Sequence, residues 1–432
     1  MTIYSFILSF LMLFTSIFVP FANAPVPEVP EDDFVPVLRF VATSDTHVIA
    51  LGDKPSYRIA NMVKTAYAIA ENDPDYKCLD AVTFSGDITD DGTFTAFSAF
   101  AAVTDKVIRD ETQRLAVLAK SHDSNTYGAE ALNIFTSLTG QETDFHRVIK
   151  GYHFIGISRS PYDDVQYSEE QLSWLDAELE AATKAAPEQP VFVFNHEHIK
   201  NTVFGSYDYD GWGVDYFTEI LNKYPQVVDI SGHSHYPAND PRSIWQGAFT
   251  AINDGGLAYY EFTVDDKTSV HPEKHKTMTQ ALLIEVDAAN RVLVRVLDVD
   301  KGCFVAEYLI DNVTEGVKTK YDHNVRRENS TGPVFKDGAA LEVNERLGII
   351  NVTVPQAQVG EDNKVYLYRL SVTDKDGKEL HSAWELSQYY FAEVPESISF
   401  DGFTVLADGC TIKVVAEDVW GNQSEALVYE IN

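Results

Sequence analysis

Five short clusters of histidine and carboxylate punctuate the first 235 positions. They are Asp45-Thr46-His47, Gly86-Asp87-Ile88-Thr89-Asp90-Asp91-Gly92, Lys120-Ser121-His122-Asp123, Asn195-His196-Glu197-His198 and Gly232-His233-Ser234-His235. Imidazoles and carboxylates with no thiolate among them suit Fe, Mn, Zn or Co in a reactive site and disfavour a structural zinc knot. In Asp45-X-His47 and His233-X-His235 an extended backbone would aim alternate side chains at one ion. Asp87 has two oxygens with which to bridge a pair of ions, and ions about 3.5–4 Å apart acidify a water and clamp phosphoryl oxygens. Each cluster alone is an ordinary turn or a satisfied core histidine. Five in order, each behind an apolar run, ask for a common crevice.

The elements that would position them are legible. Strand-like runs precede the clusters at Val37–Ala42, Leu79–Phe84, Leu115–Ala119, Val191–Phe194 and Val227–Ile230, with another at His153–Ile157. Ile59, Met62, Val63, Ala66 and Ala70 recur at helical spacing, as do Phe94, Phe97, Phe100, Val103 and Val107. Ser168 and Gln171 form a capping box for a helix that turns Leu172, Leu175 and Leu179 inward. Trp174 and Phe97 read as core, and Asp176–Glu180 as a solvated face. This alternation predicts an α/β core whose strand-end loops converge at one sheet edge.

Beyond residue 255 the texture changes. Tyr259–Val264, Ala281–Val286 and Arg291–Val299 read as strands without helices between them, an antiparallel closure of a domain spanning 35–311. Residues 312–332 are polar and read as a linker. In 333–432 the short alternating segments Ile349–Val354, Val365–Val372, Thr411–Val415 and Ala426–Ile431 predict a smaller all-β sandwich of the fibronectin or immunoglobulin type. It carries no cluster of histidines and carboxylates, and is expected to act as a spacer or as a module contacting a cell surface or another protein.

A net charge of −33 repels polyanions and argues against stable nucleic-acid binding. It leaves small phosphate substrates open, because a bound divalent ion dominates its local field. Residues 3–21 are almost wholly apolar and Ala22-Asn23-Ala24 follows, so 1–24 reads as a secretory signal or, uncleaved, a membrane anchor. The Pro-rich stretch 25–34 is a linker, and the expected location is secreted or cell-surface. Cys78, Cys303 and Cys410 are too few for a disulfide framework; Cys78 reads as a small core residue. The segment around His196 lacks the His-Glu-X-X-His spacing of zinc peptidases.

The five clusters, with Gln171-Leu172-Ser173-Trp174-Leu175-Asp176 ahead of the fourth, resemble the calcineurin-like metallophosphoesterase superfamily over roughly residues 35–311. The chain is most similar to its secreted bacterial-type and cyclic-nucleotide phosphodiesterase branches; Asp90 stands where purple acid phosphatases have tyrosine. The resemblance implies a four-layer α/β/β/α sandwich. It implies one divalent ion on Asp45, His47, Asp87 and His235, and a second that shares Asp87 and takes His196 and His233. It implies that His122, oriented by Asp90, contacts the phosphate or protonates the leaving oxygen. The expected activity is hydrolysis of a small phosphomonoester or phosphodiester, a nucleotide among the candidates, by metal-activated hydroxide.

One cluster departs from the family's pattern. Lys120-Ser121-His122 replaces Gly-Asn-His, so Ser121 offers the second ion a hydroxyl where an amide oxygen is usual, and Lys120 becomes a candidate phosphate binder. The second ion is therefore expected to be the weaker. His198 is a further candidate for substrate contact. The aromatic and glycine-rich stretch 204–213 reads either as a lid or as a packed loop. The competing expectation is an inactive surface protein that binds a ligand through its C-terminal sandwich.

Overall fold

Alternation within single strands sets up the layers. In β1 (Pro36–Thr43) Leu38, Phe40 and Ala42 face one core while Val41 faces another. In β6 (Val191–Phe194) Phe192 and Phe194 turn to the same core as Phe40, and Val191 and Val193 turn away. The two strands thus belong to sheets stacked face to face, with one apolar layer between them. Phe40 meets Phe154 and Phe192 edge-on at centroid distances of 5.0 and 4.8 Å, contacts worth about 0.5–1.5 kcal/mol each beyond the area they bury.

The computed structural model describes residues 27, 34–160, 166–208, 211–265, 267–404 and 409–431. The apolar segment 3–21, the junction 22–24 and most of 25–34 lie outside the described residues. Among the described residues no helix is long and apolar enough to cross a membrane.

The chain divides into two units. In the first, β1 is followed by α1 (Lys54–Asn72), β2 (Ala81–Ser85), α2 (Phe94–Val107), β3 (Gln113–Val117), α3 (Glu130–Thr139), β4 (Phe145–Ile149), β5 (Tyr152–Gly156) and α4 (Glu169–Ala185). After β6 come β7 (His198–Ile199), β8 (Gly213–Val214), α5 (Thr218–Leu221), β9 (Val227–Ser231), β10 (Ile244–Gln246) and β11 (Thr250–Asn253). The unit ends with β12 (Phe262–Val264), β13 (Lys267–Val270), β14 (Gln280–Asp287), β15 (Val292–Asp298) and β16 (Cys303–Ile310). One sheet has the order β16-β15-β14-β1-β2-β3, the other β10-β11-β9-β6-β5-β4. Helices α1 and α2 cover the outer face of the first, and α4 that of the second, completing an α/β/β/α sandwich. Asp53 caps α1 by accepting from Ser56 N, Thr93 caps α2, and Ser168 with Gln171 closes the capping box of α4.

Strands β1, β2 and β3 are parallel, as are β5, β6, β9 and β11, while β14–β16 close the first sheet antiparallel. The expectation of a single sheet edge is corrected: the loops that carry the clusters leave two sheets. Two smaller corrections concern burial. Cys78 is exposed, because it precedes β2 on the connection from α1, and Trp174 is only partly buried on α4.

The polar stretch 312–332 is not a bare linker. Val313 and Tyr321 are buried in the first unit, and His323–Asn329 forms helix α6, capped by Asp322. The second unit is a seven-stranded sandwich. One sheet orders β17 (Glu342–Arg346), β18 (Ile349–Pro355) and β21 (Ser397–Phe403); the other orders β20 (Glu379–Leu386), β19 (Val365–Thr373), β22 (Cys410–Asp418) and β23 (Leu427–Ile431). Val352, Val354, Tyr368, Leu370, Ile412 and Val414 fill its core.

Candidate metal centre

The loops after β1, β2, β6 and β9 meet across the two sheets in two groups of ligand atoms, each group lying within 4.8 Å, and His47 forms a third such group with the more exposed Asp90 and His122. The first contains Asp45, His47 and His235; the second contains Asp87, His196 and His233. In the first, His235 Nε2 lies 3.3 Å from both Asp45 Oδ1 and His47 Nε2. In the second, His196 Nε2 lies 3.2 Å from Asp87 Oδ2 and 3.1 Å from His233 Nδ1. All but His233 are buried.

Backbone shape explains how the ligands converge, and it corrects the extended geometry expected from the sequence. Asp45, His47, Asp87, His233 and His235 all have positive φ, between 47° and 72°. Left-handed conformations cost non-glycine residues free energy and persist where surrounding structure over-determines them. Here the surroundings do. Asp45 N donates to Gly86 O, His47 N to Asp87 O, and His233 N to Asp45 Oδ2. Two glycines permit the approach. A Cβ on Gly86 would lie 2.6 Å from His196 Nδ1, and one on Gly232 would lie 1.9 Å from Ser44 Oγ.

The outer nitrogen of each ligand histidine is mostly tied down, which orients the ring and sets its tautomer. His196 Nδ1 bonds Ser85 O at 2.9 Å and His235 Nδ1 bonds Tyr259 O at 3.1 Å. His47 Nδ1 lies 3.3 Å from Asp90 Oδ1. Asp45 and His47 are thus held from behind while Asp45 Oδ1, fully buried, has no hydrogen-bond partner. A desolvated carboxylate oxygen facing two imidazole nitrogens is strongly unfavourable unless a cation joins them. The donor set fits a divalent ion.

The field points the same way. Burial works against the charge of Asp87, but His196, His47 and His122 hold its carboxyl well below the usual range. Burial also opposes charge on His196, yet Asp87 and Asp45 raise it to about 10. His233, buried beside His196, falls to about 3 and stays a neutral donor. Asp254 is raised to about 8 by burial, against its hydrogen bond to Ser44 and with Asp45 adding to the rise. Ser44 Oγ lies within hydrogen-bond distance of both Asp254 Oδ1, at 2.6 Å, and Asp45 Oδ2, and so ties the two carboxyl groups together.

The remaining predicted residues fall into place unevenly. Ser121 Oγ donates to Asp87 Oδ1 and Oδ2 at 2.9 and 3.1 Å, so it sits on a ligand carboxylate. Lys120 is half-buried immediately before it. His122 Nδ1 bonds the backbone carbonyl of Asp90 at 2.7 Å; the expectation that the Asp90 carboxylate orients it is corrected, since that carboxylate faces His47. Asp87 falls in the second group rather than the first. His198 is corrected more fully. It is completely buried, both ring nitrogens bond Ser231 Oγ and Ser234 Oγ at 2.9 and 2.8 Å, and burial with His233 nearby lowers it to about 3. It braces the loop carrying His233 and His235 and cannot reach a substrate.

Sequence reasoning assigned no role to three contributors. Asp123, buried and raised to about 6 by burial and Asp87, accepts from Thr89 N and Ala119 N and joins the second and third loops. Asp254 and Tyr259 come from the loop after β11, and Tyr259 stacks on His235 with centroids 4.0 Å apart. The signal for that loop was Asn253-Asp254-Gly255-Gly256 behind the apolar run 249–252.

Residues 38–237 match the sequence model of the family described as calcineurin-like phosphoesterase. No curated protein matches the chain by sequence. Among solved structures the chain is similar to GAP50, the anchor in the inner membrane complex of Plasmodium, at 15% identity over 66% of this chain and 90% of that one, with a TM-score of 0.41. It is also similar to a purple acid phosphatase from seeds of yellow lupin, Lupinus luteus, at 15% identity over 66% and 55% of the two chains, with a TM-score of 0.42.

Proposed function

We propose that the first unit hydrolyses phosphate esters with two divalent ions, one that Asp45, His47 and His235 would hold and one that Asp87, His196 and His233 would hold. The observation that carries this reading is the meeting of two triads of nitrogen and oxygen ligands from two sheets, one of them containing a buried carboxylate oxygen with no hydrogen-bond partner. Bound there, such ions would supply Lewis acidity, a more acidic water and neutralisation of phosphoryl charge. The protein's own part is to orient and to move protons. With Nδ1 engaged by the Asp90 carbonyl, His122 keeps Nε2 to hold a proton for the leaving oxygen. Lys120 adds positive charge beside Ser121, where a phosphate dianion would gain from it.

Export belongs to the same proposal, supported by the apolar segment 3–21 and the small residues after it. The test is hydrolysis of a phosphomonoester and a phosphodiester by purified protein loaded with Mn, Zn, Fe or Co, with metal content measured alongside. Metal-dependent turnover of at least one class is expected. Absence of turnover of both classes together with absence of bound metal would overturn the reading.

A further inference from the structure

Among the buried polar atoms with no hydrogen-bond partner, one belongs to a ring packed on a ligand histidine. Trp212 lies between Gly211 and Gly213, and its indole ring meets the ring of His233 edge-on, with centroids 5.1 Å apart and an interplanar angle of 86°. Its Nε1 is buried and has no hydrogen-bond partner. An indole N–H can only donate, and a buried donor without an acceptor is an unfavourable feature that native structures rarely keep unless an absent group completes it.

Trp212 does not sit there by chance of a loose loop. Gly213 pairs with His198 in the short β7–β8 ladder, and Lys200 N donates to Val214 O at 2.8 Å. A Cβ on Gly213 would lie 2.3 Å from Ser206 O and 2.9 Å from Lys200 Cα, so the backbone beside the tryptophan is clamped. His198 is itself held between Ser231 and Ser234, the residues on either side of Gly232-His233. One connected scaffold therefore fixes His233 and the indole relative to each other. Preorganised donors beside a charge-bearing centre are how sites bind oxyanions at low reorganisation cost.

We propose that Trp212 is a phosphoryl-binding residue, whose indole N–H donates to an oxygen of the phosphoryl group bound on the His233 side of the centre. This rests on the phosphate-ester reading above and names the moiety recognised there. It predicts recognition of the phosphoryl group itself, common to product and substrate, rather than of the organic part of the ester.

The test uses the zinc-loaded full chain with ¹⁵N-labelled indoles and inorganic phosphate as the probe. Five tryptophans give five indole signals, and the Trp212 signal is the one lost in Trp212→Phe. On titration with phosphate that signal should shift downfield and saturate. By calorimetry Trp212→Phe should bind phosphate about tenfold more weakly, with zinc content and melting temperature unchanged. Trp212→Tyr supplies the same assignment and affinity comparison if the phenylalanine variant does not fold. Calorimetric binding of phosphate without movement of the Trp212 signal, or wild-type phosphate affinity in the variant, overturns the proposal, as does absence of phosphate binding to zinc-loaded protein. Failure of hydrolysis in the wild type, by contrast, speaks only to the enzymatic reading.

Discussion

The two ligand groups have the same composition, one aspartate and two histidines, but their carboxylates are engaged differently. Asp45 accepts through Oδ2 from Ser44 and from His233 N, leaving Oδ1 with no hydrogen bond. Asp87 accepts from Ser121 Oγ on both oxygens and from His122 N on Oδ1. The first group thus presents a whole oxygen to an ion. The second must share its carboxylate with a neighbouring hydroxyl. Residue type alone does not rank metal sites; what already occupies the lone pairs does.

The comparison is most directly broken at Asp45. Asp45→Asn should remove the first ion and lower hydrolysis by more than about 100-fold, beyond the range expected for outer-shell changes. Metal analysis with steady-state rates checks this; retention of both would mean the group is not a metal site. Next in size is metal removal. Chelation should lower the melting temperature measured by calorimetry, since saturation at a thousandfold excess over Kd stabilises by about 4 kcal/mol per site. Asp90→Asn should weaken only the first ion, by about tenfold, because its carboxylate backs His47. Equal weakening of both ions would dissolve the distinction between the groups. The smallest change is an improvement: Ser121→Asn should tighten the second ion by roughly two- to tenfold, by freeing Asp87 and adding an amide oxygen. A weaker second ion in that variant would show that the serine hydroxyl is itself the better partner.

Much of this was legible because a strand that ends in a ligand must be apolar up to that point. The runs before Asp45, Asp87, Ser121, His196 and His233 all become strands. What escaped lies where the pattern is short or charged. β10 and β11 have three and four residues, too few to show a period, and with them went Asp254 and Tyr259. β17 reads Glu-Val-Asn-Glu-Arg and sits at a sheet edge, where charge guards against further pairing but hides the strand. Helix α6 was concealed by the polar composition of 312–332, although Asp322 is a recognisable cap. His198 misled because its spacing from His196 suggested a shared direction, whereas its strand turns it into the two serines.

Gly232 has a consequence for the molecule as a mechanical object. Its α-carbon lies so near the first sheet's loop that an added methyl would sit 2.5 Å from Asp45 Oδ2. The Gly232 main chain, packed directly on the Ser44 and Asp45 side chains, therefore gauges the gap between the two layers at the centre. Such a joint has a tolerance smaller than a methyl group, and Gly232→Ala would act as a wedge driven between the sheets, prising the ligand loops apart while leaving every ligand in the chain.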